Sequence, residues 1–124
     1  MPVMKALSLR QPWANLILTG HKTIETRKWK TDYRGDIVIC ASMYGRIEPR
    51  GVALCIVELC GIQPMKKWHE PYARCECYTG VWAWFLRKIR RIVEPFPVKG
   101  KLGLFAVNVP EYCEWLPVPV LIEW

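Results

Sequence analysis

This sequence is short of acid: 11 Asp and Glu stand against 18 Lys and Arg in 124 residues, for a formal net charge of +7. It also lacks a long apolar run. Its uncharged apolar stretches, such as "IVICA" and "VALCIV", fall far below the roughly 18 residues that span a bilayer, so no membrane partner is expected. No apolar signal region or small-residue cleavage site marks the first residues, which leads to the expectation of a cytoplasmic protein. There are two histidines, His21 and His69, and neither has an acid and a nucleophile placed beside it for a triad. The six cysteines include no Cys-x2-Cys pair, the spacing that zinc sites favour. Cys75 and Cys77 form only a Cys-x-Cys near His69. Cys40, Cys55 and Cys60 sit in apolar runs, where a thiol behaves as a small hydrophobe. Reduced thiols, no metal and no cofactor are therefore expected. With neither repeat nor linker, residues 1–124 read as a single domain.

What is present is a core-forming composition, 52% apolar or aromatic, which argues against disorder. The charge is unevenly spread. Residues 1–50 carry nine bases against four acids and residues 81–101 six against one, or +5 each. Residues 51–80 balance at three against three, and residues 102–124 carry three acids and no base. Two basic segments folded onto one face would suit a polyanion, nucleic acid above all. The alternative is a basic surface with no partner.

Apolar periodicity sets out the elements. A first strand is predicted over 4–10. "QPWANLILTG" follows as a short helix, with Pro12 at its first position and Trp13, Leu16 and Ile17 on one apolar face. Gly20 falls just past its end, where a left-handed residue is favoured. Strands are predicted over 22–29, 36–42 and 52–62, the last being the longest. Residues 63–80 read as irregular, with one helical turn. "VWAWFLRKIRRIV" (81–93) fits helix or strand. The alternation of Trp82, Trp84 and Leu86, with Pro95 and Pro97 close behind, favours strand. "KGKLGLFAVNV" supplies a turn and a last strand, and the proline-rich tail an extended edge segment. About six strands with one helix after the first give an α+β fold, a closed or partly closed β-barrel rather than a doubly wound sheet.

The densest chemistry lies in "GHKTIETR" (20–27). Lys22, placed directly after a helix, is expected near that helix's last carbonyls. Glu25 lies within reach of it and shares a strand face with Thr23 and Arg27. Such a cluster has several uses: an ion-pair network, an arginine offered to a phosphate or base edge, or a general acid/base pair of Lys22 and Glu25. Elsewhere, Trp13 is either core or a cleft wall. Trp82 and Trp84 share a face and are expected to be buried rather than to stack on bases. Arg87, Lys88, Arg90 and Arg91 form either a phosphate track or a solvated face. Glu58, interrupting an apolar strand, is a buried partner for a base or the mark of an exposed end.

The segment also fills a pattern. Gly20, Lys22, Glu25 and Arg27 match Gly-x-Lys-x-x-Glu-x-Arg in register, and the flanking "SLRQPWA" and "RGDIVICAS", with "GVALCIVELCGIQPM" and "WAWFLRKIRRIVEPFPVKGKLGLFAV", extend the likeness. Across residues 5–108 the chain resembles ASCH domains, named for homology to activating signal cointegrator 1. The resemblance implies a PUA-like fold, a small mixed β-barrel with helices over its ends, a cleft beside the first helix lined by the signature residues, and binding of RNA or other nucleic acid. It places Gln11 and Ser42 beside that cleft, where they would hydrogen-bond a base. The expected nucleic-acid-binding set is then Gln11, Trp13, Gly20, Lys22, Glu25, Arg27, Ser42, Arg87, Lys88 and Arg90, with RNA, DNA or a nucleoside as partner. Some small ASCH proteins are hydrolases, acting on N4-acetylcytidine or on RNA. In the amidohydrolase group a nucleophilic threonine occupies the position of Glu25, so that nucleophile is missing here. Thr23 and Thr26 are out of register for the role. Hydrolysis with Lys22 and Glu25 as acid/base pair is the alternative function, and a protein-interaction module a third.

Overall fold

A computed structural model describes residues 2–124. The elements run β1 (Val3–Leu9), α1 (Trp13–Leu18), β2 (Ile24–Arg27), β3 (Gly35–Ala41), β4 (Val52–Pro64), a 3₁₀ turn (Lys67–His69), α2 (Glu70–Ala73), β5 (Trp82–Pro97), β6 (Phe105–Asn108) and β7 (Trp115–Pro117). The strands form one sheet in the order β2-β5-β4-β3-β1-β6, with β7 added to β5. The β1–β3 pair is parallel and the others antiparallel. The sheet curls into a half-barrel with few helices, as the strand-rich pattern predicted.

The differences from expectation are local. Seven strands form among the described residues where about six were expected, because the tail, read as an extended edge segment, pairs as β7 against Arg90–Ile92 of β5. β5, not β4, is the longest strand at 16 residues. It runs on to Pro97 because those last residues pair only with Val52 and Ala53 of β4, so the missing proline N–H falls where the ladder is ending. Three register shifts between β4 and β5, and Lys88 in the left-handed region (φ 54°), bend the pair and interrupt its two-residue alternation. Pro12 precedes α1 rather than beginning it.

The central strands are buried on both faces. Inside the curl, Leu7, Leu9, Ile37, Ile39, Val57, Leu59, Trp84 and Leu86 pack with Ala14 and Ile17 of α1. Ala6, Val38, Ile56 and Ile92 pack with Phe96 and Phe105 in a second cluster. Ile24, Ala83 and Phe85 pack with Met65 and Ala73 in a third. Trp84 is fully buried. Its ring meets Trp29 edge-on at 4.9 Å, and its Nε1 donates to the Trp29 carbonyl at 3.3 Å, so this polar atom is satisfied in the core. Trp82 is half-buried, with Lys30 4.7 Å above its ring.

Candidate nucleic-acid interface

The helix–strand turn sets the site. The N–H groups of His21 and Lys22 both donate to the Leu16 carbonyl, closing α1. Gly20, just before them, is left-handed at φ 82°. A side chain there would also strike the Pro119 carbonyl of the tail. Gly20 therefore shapes the turn and is buried; it does not reach a ligand. Thr23 donates from its hydroxyl to the Ile122 carbonyl, so it faces the tail and not Glu25.

Lys22 does not stay near the end of α1 as expected. It turns inward, only 1% exposed. Its ammonium donates to the Ile24 carbonyl at 2.7 Å and the Ala73 carbonyl at 2.5 Å, and sits 3.3 Å from Glu25 Oε1. All three ammonium donors are thereby engaged. Glu25 Oε2 receives Arg27 Nε at 3.1 Å and Nη2 at 2.8 Å. Burial acts to raise the Glu25 pKa, but Lys22 and then Arg27 outweigh it and hold the carboxyl below its usual range. Arg27 Nη2 also donates to the Ser8 carbonyl at 3.1 Å. Among the described residues its Nη1 has no protein partner, and the side chain is 24% exposed. Lys22 and Glu25 thus form the floor, and Arg27 is the member that a ligand can reach.

This floor opens into a cleft of about 940 Å³ between the ends of β1 and β2. Ser8 and Arg10 border one side, and Thr26 and Lys28 the other. The loops 42–44 and 99–103 form the rim. Three rings stand in the lining. Trp13 is a wall rather than core, at 37% exposure. Tyr44 lies 3.9 Å beneath the Arg10 guanidinium, and Tyr78 lies 5.9 Å from Lys28 Nζ. Ser42 lines the same space.

The other expected residues lie elsewhere. Gln11 is buried in a local lattice, donating to Asn15 Oδ1 and the Pro49 carbonyl at 2.9 Å each. Arg87 and Lys88 both pair with Glu58, at 3.0 and 3.2 Å. Arg90 pairs in two-pronged fashion with Asp36, at 2.7 and 3.0 Å. None of these four lines the cleft. The acid partners of Arg87 and Arg90 lie 29 and 54 residues away in sequence, across the β-ladders, so a local charge count misses that Glu58 and Asp36 offset part of this cluster; Arg91 is exposed and has no ion pair among the described residues. Glu58 is accordingly a half-buried partner for two bases.

Residues not anticipated as site members are Arg10, Lys28, Tyr44, Tyr78, Lys99 and Lys101, all in the cleft lining. The second basic segment does reach the first, but through the sparse "KGK" turn at 99–101 and not through the dense 87–91 run. The signal for it was a turn composition, with Gly100 between the two lysines and Gly103 just after them.

The half-barrel with its motif-lined cleft defines a small PUA-like module. The chain belongs to the ASCH domain family, whose model matches residues 7–96. It is 47% identical over 36 residues to activating signal cointegrator 1 of Mus musculus and, equally, of Homo sapiens. That segment is 29% of this chain but 6% of the length of those proteins. Among solved structures, a point variant of ZmASCH from Zymomonas mobilis superimposes with a TM-score of 0.63 at 17% identity, covering 84% of this chain and 89% of that one. The unsubstituted ASCH protein from Zymomonas mobilis gives 0.52 at 18% identity, covering 90% and 86%. These likenesses establish the fold. No helix of the described residues is long and apolar enough to cross a membrane. Among the described residues no three His, Cys, Asp or Glu side chains converge as a metal site.

Proposed function

We propose that this chain binds nucleic acid, RNA foremost, in the cleft between β1 and β2. One observation carries the reading: four exposed bases, Arg10, Lys28, Lys99 and Lys101, share one concave lining with the rings of Trp13, Tyr44 and Tyr78. Cations along a groove follow a phosphate backbone, and interleaved rings offer stacking faces to bases. In this reading Arg27 presents Nη1 to a base acceptor or phosphate, Glu25 fixes its plane, and Lys22 neutralises the buried carboxylate. Lys22 and Glu25 are therefore positioning residues.

Hydrolysis with Lys22 and Glu25 as acid/base pair has less support. The ammonium is committed to two carbonyls and a carboxylate, and a carboxylate held below its usual pKa is a weak base.

Fluorescence anisotropy with a labelled RNA oligonucleotide, and its DNA counterpart, tests the proposal. Four phosphate contacts on a single strand give a slope of log affinity against log salt of about −3. Arg27→Ala and Trp13→Ala should each weaken binding. Absence of binding to both RNA and DNA at low salt refutes the reading. Turnover of RNA or acetylcytidine that disappears in Lys22→Ala and Glu25→Ala would replace it with the hydrolase.

A further inference from the structure

The loop between β5 and β6 carries a feature that the cleft's polar chemistry does not use. Leu102 is 99% exposed, the most exposed large apolar side chain described. The loop around it is not slack. Val98 N–H donates to the Gly51 carbonyl at 3.0 Å at one end, and Leu104 packs on the main core at the other. In the middle Gly100 lies so close to Ser8 that a Cβ would come 2.7 Å from its hydroxyl oxygen. Gly103 turns the chain back at φ 69°. A segment pinned at both ends and pressed against β1 thus holds an unpaired leucine in water, with Lys99 and Lys101 beside it.

A fully exposed leucine forgoes the benefit of burial, which is large for that side chain. Whatever covers it must also satisfy the two neighbouring lysines, so it presents an apolar surface flanked by negative charge. The faces of successive bases between their phosphates have that chemistry, and apolar wedges inserted at base steps are a known way of using it. The same cleft offers three rings to receive bases.

Resting on the nucleic-acid reading above, we propose that loop 98–104 is a second arm of the site. Leu102 enters between two successive bases, Lys99 and Lys101 take the flanking phosphates, and the ligand is one whose stack opens readily. A single strand or a mismatched step is then preferred over a uniform duplex.

Oligonucleotides carrying 2-aminopurine at each position in turn test this, because that base brightens when unstacked. With the native protein, one position should brighten on binding, and a fully paired duplex should bind at least about 10-fold more weakly than the single strand. Leu102→Ser alters a side chain with almost no protein contacts, so the fold is retained. It should weaken single-strand binding by about 10-fold and abolish the brightening. Lys99→Ala with Lys101→Ala should reduce the salt slope by about 1.4. If Leu102→Ser binds and brightens as the native protein does, the wedge is refuted while the nucleic-acid reading stands. If the native protein binds no oligonucleotide, both fall. Leu102-dependent binding to vesicles of anionic phospholipid, with oligonucleotide binding unaffected, assigns the loop to a membrane surface and overturns the proposal.

Discussion

Replacing Glu25 with glutamine keeps its shape and removes its charge, which isolates the role of the ion-pair lattice. The carboxylate is 8% exposed and lies between an ammonium that is 1% exposed and a guanidinium that is 24% exposed. Breaking a buried pair on one side typically costs about 3–5 kcal/mol, because the remaining charge is left uncompensated. Here Lys22 keeps its bonds to the Ile24 and Ala73 carbonyls, and Arg27 keeps Ser8 and partial access to water. The lower end of the range applies, about 3 kcal/mol, equivalent to a fall in Tm of roughly 10 °C for a domain of this size. Urea and thermal unfolding at pH 7 measure it. The sign with pH follows from the lowered Glu25 pKa. The stabilisation is complete above the unfolded-state value near 4.5. It is lost as pH falls below that value toward the folded one. The native protein should therefore lose stability on acidification more steeply than Glu25→Gln. A loss below about 1 kcal/mol at pH 7, or parallel pH profiles, would refute the claim that Glu25 is held as a buried anion by two bases.

Other tests follow from single contacts. His69 is fully buried, and its Nδ1 accepts from the Lys66 N–H at 2.8 Å while its Nε2 has no partner among the described residues. Burial first, and then Lys66, holds its pKa below the usual imidazole value of 6.5. The folded state thus excludes a proton that the unfolded chain takes up, and stability should decline as pH falls below about 6.5 toward the lower folded value; a His69→Gln variant should show a flatter profile between pH 7 and 5.5. Gly20→Ala should destabilise by more than about 1 kcal/mol, because of its left-handed backbone and the Pro119 carbonyl beside it, with protease attack at the tail as the readout. Arg87→Ala and Lys88→Ala should leave oligonucleotide affinity within about twofold, since surface changes away from an interface act weakly; a loss as large as that of Arg27→Ala would return the 87–91 run to the site.

The placement of strands along the chain was legible because β-branched runs and turn residues are local signals, whereas their order in the sheet was not. Residues 81–93 fit helix or strand, and the alternation of Trp82, Trp84 and Leu86 with Pro95 and Pro97 close behind tips the reading to the strand that β5 forms. Its bulges are not legible in this way, since a register shift depends on which residues of β4 stand opposite. The motif was legible, but its internal division of labour was not. Lys22 is buried because Ala73, 51 residues later, brings a carbonyl to it, and no spacing within "GHKTIETR" encodes that. The same holds for Arg90, whose charge is cancelled by Asp36 on β3. Density of charge marked residues 87–91, whereas topology placed the usable lysines at 99 and 101.

The sheet order leaves β1 and β2 without a shared ladder among the described residues. What spans them is Arg27, reaching from β2 to the Ser8 carbonyl on β1. Closure here is a matter of one side chain's reach and not of paired backbone. No ladder joins the two lips at this contact, so the width of the opening and the aim of the Arg27 guanidinium are set together.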